Sequence, residues 1–166
     1  MNTSMKDTVI ALLSEVNRNG IENLIQFIKD SDYLTSARCY SHHQCPEGLM
    51  MHSLEVLDNM LKNNISGMPR ESLILVALCH DLGKARFNGK MVGNGDHPQR
   101  SIEILNQCGV ELTEMEANAI RYHHPKGLND WLSTAFASPL LILLQFADCR
   151  STGINKRGEK YRFSVL

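Results

Sequence analysis

The sequence predicts an all-α fold. Apolar residues recur at helical spacing in one segment after another, and polar loops separate those segments. Few stretches alternate apolar and polar residues with the period of two that marks a half-buried strand. At 166 residues the chain has the length of one domain, and burying roughly 70% of its unfolded surface supports a core without disulfides or a structural metal.

Val9, Ile10, Leu12, Leu13 and Val16 mark a first helix, stopped by Asn19-Gly20, and Leu24, Ile25 and Ile28 mark a second. Residues 31–48 read as irregular. From Leu49 to Asn63, the residues Val56, Leu57, Met60 and Leu61 form an apolar stripe, with His52 one turn before Val56 and on the same flank. Pro69 stands where helices commonly start, and Leu73 to Cys79 is apolar all round, as in a helix at the centre of a bundle. His80 and Asp81 end it. Gly83, Gly89, Gly93 and Gly95 among polar side chains predict a mobile loop over residues 83–95. Asp96 caps a helix running to about Cys108 and closed by Gly109. Thr113 and Glu116 match the capping box of another, which Pro125 ends just after His123-His124. Ser138-Pro139 starts the last helix, Leu140 to Cys149, with Asp148 near its end. A mildly basic tail, 154–166, follows.

Lys and Arg number 17 against 18 Asp and Glu, a formal charge of −1, so no global attraction to nucleic acid or to a membrane follows. No apolar run approaches the roughly 20 residues that span a bilayer, and Met1 to Asp7 lacks an apolar signal core. The five cysteines contain no Cys-x-x-Cys pair and read as reduced packing residues. A cytoplasmic location is the expectation.

The chemistry lies in where histidines and acids fall: His52, His80-Asp81, His97, His123-His124 and Asp148, each at the end or on the inner flank of a helix. Helix ends can converge on one point. Imidazole with carboxylate suits Mn, Fe, Co, Ni or Zn, and the lack of cysteine among these positions argues against a thiolate-rich structural zinc site. An adjacent carboxylate and imidazole at the end of an all-apolar helix are costly to bury unless paired or bound to metal. A single histidine on an apolar face is more often a hydrogen-bonded core residue than a ligand; seven such positions in order outweigh that reading.

Gly48 to Val56, Ala77 to Lys84 and Gln145 to Asp148 resemble the HD-domain superfamily of metal-dependent phosphohydrolases, whose pattern is a His, a His-Asp pair and a distant Asp on a helical bundle. The resemblance spans about residues 40–150. It implies an HD-domain helical bundle: one domain over 1–166, with N-terminal helices over 6–30 before the core. Phosphodiesterases of this superfamily with two metals add a His and then a His-His pair between those positions. By that resemblance one ion takes His52, His80, Asp81 and Asp148, and the other takes His97, His123 and His124, with Asp81 bridging. One or two divalent ions, among Mn, Fe, Co, Ni, Zn and Mg, are thus expected as cofactors. The implied activity is hydrolysis of a phosphate ester, of a nucleotide or a nucleotide-derived small molecule, through metal-activated hydroxide.

Asp81 is the expected catalytic centre. Lys84 is expected to contact substrate phosphate, since a compact ammonium serves as a point charge. Arg100, Arg121 and Arg150 are weaker candidates for the same work. His43, near His52 in sequence, is a candidate to protonate the leaving oxygen, and for His42 and His43 a solvated-loop reading stands beside a site role.

Ser41 to Leu49 is similar to the entry of HD domains in certain bacterial 3′-exonucleases. Here Glu47-Gly48 replaces the usual Gly-Gly, and the accompanying nucleic-acid-binding domain is missing, so a nucleic-acid substrate has no support in the rest of the chain. Pro125-Lys126-Gly127 stands where cyclic-di-GMP phosphodiesterases carry Gly-Tyr-Pro, which disfavours that substrate. Two further readings stay open: a di-iron oxygenase, since a related HD-like fold uses the same ligand set, and a nucleotide sensor that does not hydrolyse. Nothing in the sequence sets an oligomeric state.

Overall fold

A computed structural model of the chain describes residues 4–37, 43–124 and 138–154. Among these residues it forms seven α-helices: α1 (Met5–Ser14), α2 (Ile21–Asp30), α3 (Gly48–Lys62), α4 (Arg70–Cys79), α5 (His97–Gln107), α6 (Glu114–Tyr122) and α7 (Pro139–Ile154). The fold is all-α, as the periodicity predicts. No helix among the described residues is long and apolar enough to cross a membrane.

The bundle is built around α4, in which every residue from Ser72 to Cys79 is buried. A helix apolar on all sides can be satisfied only by neighbours on all sides. Helix α3 packs on α4 and α7, α6 packs on α7, α5 and α4, and α1 lies against α2, α3 and α4. Each fully buried leucine of this core contributes roughly 1.5–3 kcal/mol relative to exposure. An ion pair also ties the first helices to α6: Arg18 reaches Glu116 with both terminal nitrogens, at 2.6 and 2.7 Å.

Local chemistry sets the helix ends that matter most. The Asp96 carboxylate accepts from the Gln99 amide at the start of α5. Thr113 and Glu116 cap each other's backbone at the start of α6, each supplying a partner to an amide that the helix leaves unsatisfied. At the other end of α5, Gly109 takes a φ of 80°, the left-handed conformation in which glycine stops a helix at little cost.

Two segments differ from the sequence reading. Within 83–95, a 3-10 turn (Leu82–Lys84) leads into a two-stranded antiparallel hairpin, β1 (Arg86–Phe87) and β2 (Lys90–Met91). Asn88 and Gly89 at its tip both have positive φ, 50° and 76°, which is the pattern an Asn-Gly hairpin turn requires. Helix α7 runs to Ile154 rather than ending at Cys149, since Arg150, Ser151 and Thr152 contain no breaker; Ser151 is buried on the extra turn. The expected basic tail beyond residue 154, His42 and the Pro125-Lys126-Gly127 segment lie outside the described residues.

Two contacts seat α5 against the end of α4. Ser101 Oγ accepts from the Gly83 amide at 2.8 Å and lies 2.9 Å from the carbonyls of both His80 and His97. A Cβ on Gly83 would sit 2.2 Å from the His97 carbonyl oxygen. Only glycine lets the chain after His80-Asp81 approach the first turn of α5 this closely.

Candidate metal centre

Five elements deliver the predicted donors to one place. His52 comes from the middle of α3, His80 and Asp81 from the end of α4, His97 from the first residue of α5, His123 and His124 from the end of α6, and Asp148 from α7. At the centre is the Asp81 carboxylate. Its Oδ2 lies 3.6 Å from His80 Nε2, 3.7 Å from His52 Nε2 and 2.6 Å from Lys84 Nζ. Its Oδ1 lies 3.2 Å from His97 Nε2 and 3.5 Å from His123 Nε2. Asp148 closes the group from the α7 side, with Oδ1 3.1 Å from His52 Nε2 and Oδ2 3.8 Å from His124 Nε2.

The imidazoles are oriented by what their other nitrogens do. His80 Nδ1 donates to the Ala77 carbonyl at 2.8 Å, and His123 Nδ1 donates to the Ile120 carbonyl at 2.7 Å, the same bond three residues back at the end of two different helices. A neutral imidazole carries one N–H, so once Nδ1 holds the proton Nε2 is an acceptor. Each of these acceptor nitrogens meets a second imidazole: His80 Nε2 lies 3.3 Å from His52 Nε2, and His123 Nε2 lies 3.4 Å from His97 Nε2.

Protonating His80 is not the remedy. Burial pushes the His80 imidazole down to about 3, and the pull of Asp81 back toward the charged form does not offset it. His124 is likewise pushed down to about 4, first by burial and then by His123. Burial alone would raise the Asp81 carboxyl; His80 and Lys84, followed by His123 and His97, more than reverse this and hold it well below the usual carboxylate range. Asp148 also lies below that range, burial being outweighed by the close approach of His52 and His80.

These residues fit a cation. Among the described residues, Asp81 Oδ1 is the one buried side-chain polar atom that no hydrogen bond satisfies: His97 and His123 approach it without bonding geometry. An anionic oxygen ringed by imidazole acceptors is an arrangement that water-free protein penalises and a divalent ion relieves. The spacings agree as well. Ligands about 2.1 Å from one ion lie roughly 3.0 Å apart in octahedral and roughly 3.4 Å apart in tetrahedral coordination, close to the separations here. Three overlapping donor groups each bring their ligand atoms within 4.8 Å of one another: Asp81 with His97, His123 and His124; His52 with His80 and Asp81; and His80 with His123 and Asp148. The open side is marked by His97, 22% exposed, and His124, 47% exposed.

Lys84 sits at the edge of the centre on Asp81 Oδ2. Arg100 is committed elsewhere, its guanidinium bonding the carbonyls of Gly83 and Gly95; Arg121 and Arg150 are exposed. The structure puts His43 outside the donor cluster. Its ring is fully buried behind His52, with centroids 5.3 Å apart, and its Nε2 bonds Glu55 Oε2 at 2.8 Å, so it does not face the open side where a leaving group would be protonated. The sequence reading missed Glu55 and Ser151. Both stand three residues after a donor, on the same helical face as His52 and Asp148 respectively, and that spacing was the signal available.

The family model for the HD domain matches residues 49–153. No curated protein and no solved structure matches the chain. The matched span starts at the first turn of α3 and ends within α7, so it encloses every donor of the cluster. With an all-α bundle and a His/Asp cluster compatible with metal, this chain belongs to the HD domain family.

Proposed function

We propose that this protein is a metal-dependent phosphohydrolase that cleaves a phosphate ester of a nucleotide or nucleotide-derived small molecule. HD domains are mostly hydrolases and bind divalent metals, and the observation that carries the reading is the Asp81 carboxylate, one oxygen toward His52 and His80 and the other toward His97 and His123. A carboxylate so placed suits two neighbouring ions. When bound, such ions supply Lewis acidity to a phosphoryl oxygen and acidity to a coordinated water.

The chain's own residues do the rest. His52, His80 and Asp148 hold one side of Asp81, and His97, His123 and His124 hold the other. The bonds from His80 and His123 to backbone carbonyls keep their Nε2 atoms aimed inward before any ligand arrives, so little reorganisation is left. Lys84, tethered to Asp81, keeps a positive charge at the rim where phosphate oxygens would enter. Among the described residues, free thiols at Cys45, Cys79, Cys108 and Cys149 accord with a small-molecule enzyme working in a reducing compartment.

Anaerobic turnover of phosphomonoesters, cyclic and linear dinucleotides and short single strands, with Mn²⁺ supplied, tests the reading. Wild type is expected to release product, and Asp81→Ala to release none while keeping its helix content. Equal turnover by both refutes the mechanism. Silence of wild type with metal bound favours the oxygenase or sensor alternatives, which oxygen uptake or nucleotide binding separates.

A further inference from the structure

The Asp81 cluster leaves unexplained a second polar group, buried between α3 and α7. Glu55 and His43 are fully buried, as is Ser151. Ser151 Oγ donates to Glu55 Oε2 at 2.8 Å, and the same carboxylate oxygen lies 2.8 Å from His43 Nε2, which can only donate to it. Among the described residues, the remaining contact of Ser151 Oγ is His52 Nδ1 at 3.1 Å. A hydroxyl has one proton. Since Ser151 gives its proton to Glu55, it must accept from His52, which places the His52 proton on Nδ1 and turns the Nε2 lone pair toward His80, Asp81 and Asp148.

His52 thus reaches the same tautomer as His80 and His123 by another route. Those two stand at helix ends, where the carbonyl three residues back is open to a side chain. His52 lies within α3, where main-chain carbonyls already accept helix amides, and its Nδ1 meets an acceptor from another helix. Helix α7 supplies it, and Glu55 fixes which way the hydroxyl points. Burying a carboxylate, an imidazole and a hydroxyl costs stability that an apolar trio of the same volume would not. We propose that Glu55 and Ser151 are positioning residues for the metal centre, a carboxylate–hydroxyl–imidazole relay that sets the tautomer and ring orientation of His52, with His43 anchoring the carboxylate from behind. This rests on the metal reading above.

Loss of such an outer partner weakens metal affinity by roughly 10–100-fold. The experiment uses the full chain, stripped of metal, with Co²⁺ as probe: its visible absorption band reports both affinity and ligand geometry. Ser151→Ala and Glu55→Gln are each expected to bind Co²⁺ roughly 10–100-fold more weakly, with an altered band. In the ¹⁵N-labelled metal-free wild type, long-range proton–nitrogen spectra are expected to show His52 as the Nδ1–H tautomer, and Ser151→Ala to shift it toward Nε2–H. Affinities within about twofold of wild type in both variants overturn the relay, and so does an Nε2–H tautomer in wild type. Failure of wild type to bind Co²⁺ overturns the metal reading instead, and the tautomer spectrum then decides the relay alone. If one variant does not fold, the other and the wild-type spectrum still decide.

Discussion

Asp81→Asn isolates what the central carboxylate does, because it keeps the side chain's shape and removes the charge. Asp81 belongs to two of the three donor groups, whereas Asp148 belongs to one. Metal that binds only the folded state stabilises it by RT ln(1 + [L]/Kd), about 2.7 kcal/mol at a hundredfold excess over Kd. For a domain of this size 1 kcal/mol moves Tm by roughly 2–4 °C, so wild type should gain roughly 5–11 °C with Mn²⁺ or Zn²⁺ at that excess. Loss of an outer partner alone costs roughly 10–100-fold in affinity, so loss of a charged donor shared by two groups should cost at least about 100-fold. At the same free metal the ratio [L]/Kd then falls to about 1, leaving about 0.4 kcal/mol and a shift of roughly 1–2 °C. Differential scanning fluorimetry, with and without metal, measures this for each protein. Taking the difference within each variant cancels whatever Asp81→Asn does to the metal-free fold, including the loss of the Lys84 ion pair. Asp148→Asn should keep a larger part of the shift. An Asp81→Asn protein that gains as much as wild type would refute the central role of this carboxylate.

Two further outcomes follow from the frame around the site. Glu116 is buried, and although burial raises its carboxyl, the bonds from Arg18, Ser72 and the Thr113 backbone hold it below the usual 4.5; a depressed folded value means stability that is full above 4.5 and lost as pH falls below it. Glu116→Gln should therefore cost about 1–3 kcal/mol in urea unfolding at pH 7 and progressively less toward pH 3; a pH-independent cost would count against the ion pair. Gly83→Ala should cost roughly 1–3 kcal/mol and lower metal affinity, because its Cβ would press on the His97 carbonyl at 2.2 Å and on Ser101 N at 2.9 Å, moving His97 away from Asp81. A Tm and a metal affinity equal to wild type would show that α5 can shift without cost.

The helices and the donor types were legible in the sequence because both are local properties. Asp96, and Thr113 with Glu116, announce helix starts through bonds that span three residues, and the apolar run Leu73 to Cys79 announces the central helix through composition alone. The order His52, His80-Asp81, His97, His123-His124, Asp148 likewise carries its chemistry in the residue types. The hairpin was readable too, in Asn88-Gly89, but four glycines nearby favoured a loop reading. What the tertiary structure alone decided is distance and direction. Residues 52 and 151 are 99 positions apart, and no periodicity states that α7 continues one more turn and lays a hydroxyl against the back of His52. His43 shows the same limit. Its place in the sequence beside His52 is compatible with a ring on either side of α3, and the packing of Glu55 and Ser151 turned it inward, away from the open face, because a buried carboxylate draws the nearest donors toward itself.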